Sequence, residues 1–479
     1  MPQRRRPPAK KKSPAALIGI VAVLALALGI GAYFLFFNNG SDENGNSGDR
    51  LSNGSDPGQS VFDPPPPKQP DIPKTPIEDF EYRLDAETRG VWITKYTGSS
   101  FDVRIPDEIE NQPVTGIERL SSDILSIYLP DTIKVIGSGA FRDSRGGLTI
   151  VIPDSVVKIE SGAFQGAAIS SITLGNGITE IESNTFKDAS LSSIVIPNSV
   201  TTIGREAFSG SSLTNITFGN GLTTIENNAF TKTELTNVVI PNSVTTIGER
   251  AFANNNSLAS VTIGSGVTEM GAQAFERNSS LTTVIIEDGA KIIGRGAFVD
   301  TALMSIEIPG SVILIDEYAF EGLSSLTNVV IADGVTEIGV GAFSYTALTS
   351  IEIPGSIKTI TTSAFLFSNQ LSNVIIADGV LEIGDGAFTG ISISNIIIPD
   401  SVTTIGWGAF SHNESLTNVT LGNSLRRIDT YAFTMTGLTT INIPESLTEI
   451  ELGAFAYTNI SGETLQKIIN IGGELAVAG

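Results

Sequence analysis

The chain of 479 residues contains no cysteine and a single histidine. Without cysteine there is no disulfide, no thiolate nucleophile, no Cys-ligated metal and no lipidated cysteine. One histidine leaves nothing for a multi-histidine zinc site or a spare imidazole for a triad. Positive charge is also scarce: 29 Lys and Arg face 51 Asp and Glu, a formal net charge of −22. A nucleic-acid binder needs clustered basic residues to displace counterions, so no nucleic-acid partner is expected. The chain has no GxSxG, phosphate-binding loop or HExxH motif. We therefore expect a non-enzyme, with no catalytic residue, cofactor or metal.

What basic charge there is clusters at one end. Residues 1–14 (MPQRRRPPAKKKSP) carry six basic side chains and no acid. They precede the one long apolar run, Ala15 to Phe37, 23 residues without a charge. As a helix at ~1.5 Å per residue it reaches about 35 Å, enough for a hydrocarbon core of about 30 Å. It exceeds the ~7–15 apolar residues of a cleaved signal peptide. The reading is a transmembrane helix over 15–37, with a basic cytoplasmic tail at 1–14. The remainder lies outside the cytoplasm, in a single-pass protein of the cell membrane.

Residues 38–80 read as a disordered linker. Its first part, NNGSDENGNSGDRLSNGSDPGQS, is too poor in apolar surface to fold, and VFDPPPPKQPDIPKTP favours extended polyproline II. Asp42, Asn44 and Asn46 imitate the start of a calcium loop, but Ser47 stands where glycine is needed and Asn53 where glutamate is needed.

The rest of the chain repeats. A phenylalanine, nearly always after alanine, recurs from Phe141 through Phe164 and Phe186 to Phe455 at spacings of 22 or 23 residues. Such a period means a solenoid. One unit, from Leu235, reads LTNVVIPNSVTTIGERAFANNN. LTNVVI predicts a short strand ended by Pro241, NS a turn, VTTI a second extended piece, and GERAF one helical turn with Ala251 and Phe252 inward. One unit buries too little apolar surface to offset the ordering of its backbone, so neighbours must stack. We divide the region into an N-terminal cap and opening repeat at 81–123, about fifteen repeats at 124–460, and a C-terminal cap at 461–479. Proline ends nearly every second strand from Pro153 on, as duplication of a 45-residue pair would produce.

This unit, LTxIxIPxSVTxIGxxAF, resembles the BspA-type leucine-rich repeat of bacterial and protist surface proteins, from about Val91 to Ile460. The segment from Trp92 to Ser122 is similar to the opening repeat of that family, except that Arg119 and Leu120 replace the terminal Ala-Phe. The resemblance implies a leucine-rich-repeat solenoid. Its parallel sheet would lie on the concave face, with short extended or single-turn helical segments on the convex side. It also implies a surface or secreted protein that binds a protein ligand or a host or neighbouring cell.

In each LxxIxI strand the residue between the two apolar positions points out of the sheet. Val195, Val239, Ile285, Glu307, Val330, Glu352, Ile375 and Ile397 belong to that outward column, with threonines between them, and only two members are charged. The column two residues earlier is Ser, Asn or Thr. Two readings stand: β-branched residues favour strands, or a smooth uncharged face receives a protein partner. Tyr345, Phe367, Trp407 and Tyr431 each lie within three residues of a repeat phenylalanine and map to one edge. They are either drift at tolerant loop positions or a rim for glycan or protein contacts. His412 reads as a solvated loop residue, and GxG triplets such as Gly384–Gly386 belong to the turns. Glu307 and Glu352, two repeats apart on an open face, lack the pocket a glycosidase pair requires. The functional expectation is therefore recognition or adhesion at the cell surface, with glycan or cell-wall binding and a passive envelope spacer as the alternatives.

Overall fold

Each repeat closes one coil of a parallel β-solenoid of about sixteen turns. The computed structural model describes residues 68–85, 89–120 and 123–478. The basic tail, the apolar run at 15–37 and the linker as far as residue 67 lie outside the described residues. Among the described residues no helix is long and apolar enough to cross a membrane.

The coil that starts at Leu235 shows how the sequence folds. Its first strand, Asn237–Ile240, alternates exposed and buried residues, so Val238 and Ile240 face the core. It pairs in parallel with the next coil, Val239 opposite Thr262. Pro241 ends the strand, and its carbonyl accepts the N–H of Val244 to close a turn (3.0 Å). The second strand, Thr246–Ile247, pairs with Glu269–Met270. The Ala-Phe turn then returns the chain, with Phe252 fully buried. The phenylalanine rings from Phe141 to Phe455 form one internal stack, each pair of centroids 5.0–5.6 Å apart and within 14° of parallel.

Three features differ from the sequence reading. The GERAF segment makes no helical turn. Its N–H groups alternate instead: Ala251 and Ala253 bond back within the coil to Gly248 and Arg250, while Arg250, Phe252 and Asn254 donate to Ala272, Ala274 and Glu276 of the next coil (2.8–3.2 Å). Arg250 and Asn254 sit at φ 53° and 61°, and this left-handed backbone breaks any helix and aims every second N–H at the neighbouring coil. The same two positions, two before and two after the phenylalanine, have positive φ in each coil from Phe141 to Phe455. Next, the longest unbroken sheet is built by the second strands. Thirteen of them run from Glu180–Ile181 to Glu449–Ile450, whereas the first strands divide into sheets of two to four. The second strands span the same two positions in every coil and stay in one ladder, though it too thins to a single pair, Ile338 with Ile360, at one join. First strands vary in length, and between Asn328–Ile331 and Ser350–Ile353 pairing falls to Asn328 with Ser350.

The third difference is at the N-terminus. The linker reading extended to residue 80, but the chain from Lys68 onward packs on the repeats, with Ile72 and Phe80 buried. Strand β1 (Phe80–Leu84) pairs antiparallel with β2 (Val91–Tyr96), and the Phe80 and Tyr96 rings meet at 5.5 Å. Then follow β3 (Asp102–Arg104), β4 (Glu108–Ile109), β5 (Gln112–Ile117), β6 (Ser126–Tyr128), β7 (Val135–Ile136) and β8 (Leu148–Val151). Leu120 takes the place of the missing phenylalanine: it is buried and its N–H donates to Ala140 at 2.8 Å.

The extra residue of five 23-residue coils enters as one more turn after the phenylalanine, where Leu258, Leu281, Leu326, Leu371 and Leu416 bond back three residues. Buried Asn255, Asn278 and Asn413 hold three of these turns, each carboxamide bonding to backbone of the preceding coil. At the C-terminus helix α1 (Gly462–Gly472) and the turn Glu474–Ala476 close the stack. Ile468 and Ala476 are fully buried, and the Leu475 and Ala476 carbonyls accept from Gly453 and Phe455 as another coil would.

Candidate functional site

The outward column carries a row of exposed apolar side chains. Val195, Val239, Ile285, Val330, Ile375 and Ile397 are 48–67% exposed because their neighbours on each strand turn inward. Register places Thr217 beside Val195, Thr262 between Val239 and Ile285, and Thr420 beside Ile397. Glu307 lies opposite Val330, and Glu352 opposite Ile375. The small polar column beside it is tied down locally, as where the Ser260 hydroxyl donates to Asn237 (2.6 Å). Threonines on the second-strand side, Thr223, Thr245 and Thr268, each donate to a carbonyl of the preceding coil, reinforcing the stack.

Charge is concentrated on the other edges. Arg250 and Arg277 flank buried Glu276, and Lys187 pairs with Glu206 beside the turns. The Lys187 hydrogen bond, with Arg205 nearby, holds the Glu206 carboxyl below the usual carboxylate range despite burial. On the second-strand side burial pushes Glu180 up, Glu182 and Glu226 repel its charge further, and Lys158 opposes both. A partner resting on the outward column from Val195 to Ile397 desolvates two carboxylates and little other charge. Among the described residues no cluster of three or more acids or histidine stands ready for a metal ion.

The four rim aromatics lie along the turn edge, away from the outward column. Tyr345 and Phe367 occupy the left-handed position after the phenylalanine (φ 56° and 52°), in neighbouring coils, with ring centroids 5.7 Å apart. Tyr431 occupies the left-handed position before the phenylalanine (φ 58°), and the Trp407 N–H donates to Asp385. All four are 37–53% exposed. Of the four, Tyr345 and Phe367 alone stand in ring contact among the described residues. The rings of Phe367 and Tyr431 lie over Gly390 and Gly453 of the following coils, where a Cβ would come within 2.4 Å of a ring carbon. His412 takes a left-handed position too (φ 60°), and Gly386 is the left-handed member of its GxG triplet (φ 60°).

Sequence reasoning missed the residues that dock the chain ahead of the cap. Gln69 Nε2 donates to the carbonyls of Leu129 and Val151 (3.1 and 3.2 Å), and Thr75 Oγ1 accepts the N–H of Arg104 (2.8 Å). The available signal was the spacing of three between Gln69, Ile72 and Thr75 in QPDIPKT.

A family model described as BspA type Leucine rich repeat region matches residues 120–190, 179–302, 291–413 and 367–475, well over half the chain. No curated protein matches it. Among solved structures, a leucine rich cell surface protein of Faecalibacterium prausnitzii A2-165 is 27% identical. The match covers 74% of this chain and 95% of that one, at a TM-score of 0.39. A leucine-rich repeat protein of Bacteroides ovatus is 21% identical over 78% of this chain and 95% of its own, at a TM-score of 0.42. The pneumococcal vaccine antigen PcpA is 19% identical over 86% of this chain and 98% of its own, at a TM-score of 0.39.

Proposed function

The chain belongs to the BspA-type leucine-rich repeat family, and from that premise we propose that it works by binding a protein partner on the outward strand column, in recognition or adhesion at a cell surface. The observation that carries this reading is the row of exposed Val and Ile side chains from Val195 to Ile397, interrupted by two threonines and only two acids on a strongly acidic chain. Apolar surface without charge can be buried against a partner at little desolvation cost. In this reading the apolar run at 15–37 anchors the protein in the membrane and the repeats stand outside it.

The second reading, glycan or cell-wall binding, is favoured by the adjacent exposed rings of Tyr345 and Phe367. Both stand in backbone that bulky residues enter at a cost of about 1–2 kcal/mol. One comparison separates the readings. Val239, Ile285, Val330 and Ile375 changed to Lys should leave the coil fold intact and abolish capture of protein partners. Tyr345, Phe367, Trp407 and Tyr431 changed to Ala should leave that capture unchanged. Loss in the aromatic set alone, with retention on polysaccharide by the parent, moves the site to the rim. Binding to neither proteins nor polysaccharide leaves a passive envelope spacer.

A further inference from the structure

A proline-rich piece of this chain already lies on the first members of the outward column. Arg104, Tyr128 and Val151 are aligned across β3, β6 and β8, and the column continues through Thr173 to Val195 and beyond. Over these first members runs QPDIPKTP, residues 69–76. Gln69, Pro70 and Thr75 are half-buried and Ile72 is 6% exposed, while Asp71, Pro73, Lys74 and Pro76 face solvent. The hydrogen bonds to the coils come from every third residue, Gln69, Ile72 and Thr75, the spacing of one polyproline II turn.

Each of the three contacts has a physical cause. The ladder between β6 and β8 stops at Ile127 with Ile150, and Pro130 and Pro153 just beyond have no N–H to give. The Gln69 carboxamide enters there and donates to the Leu129 and Val151 carbonyls. Arg104 Nη1 reaches the Ile72 carbonyl (3.5 Å), and its guanidinium lies 4.0 Å from the centre of the Tyr128 ring. Thr75 caps the free edge of β3 through the Arg104 N–H.

Past the docked segment the column has a period of its own. Val151, Val195, Val239, Ile285, Val330 and Ile375 alternate with Thr173, Thr217, Thr262, Glu307 and Glu352. An apolar side chain therefore recurs every second coil, a step of about 10 Å. One turn of polyproline II, three residues at ~3.1 Å, advances about 9 Å. The two periods stay in step over roughly nine residues, the length of Lys68–Pro76.

We propose that the column from Val195 to Ile375 binds an extended proline-rich segment of a partner protein. The segment lies along the column and meets it at every third position, as Gln69, Ile72 and Thr75 of the chain's own segment meet its first members. Lysines between those positions, like Lys74 between Ile72 and Thr75, meet Glu307 and Glu352. This rests on the outward column being the binding face and names the class of partner that the face receives.

The test titrates the full-length chain against a fluorescent synthetic nonapeptide with the sequence of residues 68–76. A second nonapeptide of the same composition is shuffled to break the three-residue spacing. The native-order peptide should saturate, and the shuffled one should bind at least about tenfold more weakly. Val239→Lys with Val330→Lys should weaken the native-order peptide by at least about tenfold. Glu307→Lys with Glu352→Lys leaves the apolar row untouched. It should weaken the native-order peptide and restore binding to a peptide whose two lysines are glutamates. Equal binding of both peptides, no saturation, or indifference to all four substitutions overturns the proposal. So does binding that appears only after Ile72→Asp releases the chain's own segment, because the site is then confined to the first coils. If protein partners are lost on the lysine-substituted face while no peptide binds, the binding face stands and the proline-rich ligand falls. If neither depends on the face, both fall.

Discussion

Phe252 and Phe367 are the same amino acid in opposite circumstances. Phe252 is fully buried between Phe230 and Phe275, with centroids at 5.0 and 5.3 Å, and its removal leaves a void in a stack that cannot close around it. Phe252→Ala should cost about 3–5 kcal/mol in a urea titration. Phe367 is 40% exposed at φ 52°, in backbone that asparagine adopts more readily. Phe367→Asn should change stability by less than about 1 kcal/mol, the lost ring contact being offset by relief of strain. Equal effects of the two changes would contradict the repeat register. Glu206 adds a pH signature. Its carboxyl is lowered by Lys187, so its contribution is present above the ordinary carboxylate range and is lost as pH falls through its lowered value. Glu206→Gln should cost about 0.5–1 kcal/mol at neutral pH, and the gap to the parent should close in acid. Glu180 carries the opposite sign: burial raises it, so Glu180→Gln should gain stability at neutral pH and lose that advantage as pH falls.

At the scale of one element, the three edges of a coil differ in how firmly they join their neighbours. The turn edge sends three N–H groups per coil to the next, as Arg250, Phe252 and Asn254 do. The second strands stay in one ladder of thirteen, thinned to the single pair Ile338 with Ile360 at one join. The first strands pair in patches, and the join between Asn328–Ile331 and Ser350–Ile353 is reduced to one residue pair. Amide hydrogen exchange should therefore be slowest at the turn phenylalanines and faster along Ser350–Ile353 than along Ser260–Ile263. Uniform protection across these sites would remove the distinction. The weakest edge is also the one that presents the outward column, so a partner laid across its strands would bridge the breaks.

For the whole molecule, the proposed anchor sets where that face stands. Six basic residues precede the uncharged run at 15–37. Protease added to intact cells should strip the repeat body and leave a short membrane-bound stub. Full protection of the repeats, or release of a soluble mature chain, would reverse that topology. The solenoid is held by contacts between adjacent coils alone, closed at one end by β1 and β2 and at the other by Ile468 and Ala476. Damage in one coil should therefore loosen its neighbours first.

The sequence by itself determined the period, the inward phenylalanines and the alternation that turns Val239 outward while Val238 and Ile240 turn in. Those follow from side-chain chemistry repeated at 22 or 23 residues and from the two-residue period of a strand. Only the tertiary structure decided the backbone of the Ala-Phe turn. Arg250 and Asn254 adopt left-handed φ because the next coil offers acceptors for the N–H groups so directed, and no single unit contains that neighbour. The docking of Gln69 on Leu129 and Val151, 60 and 82 residues away, was hidden for the same reason. A proline-rich stretch read alone has no partner for its backbone, whereas the strand ends beside Pro130 and Pro153 supply one once the coils are stacked.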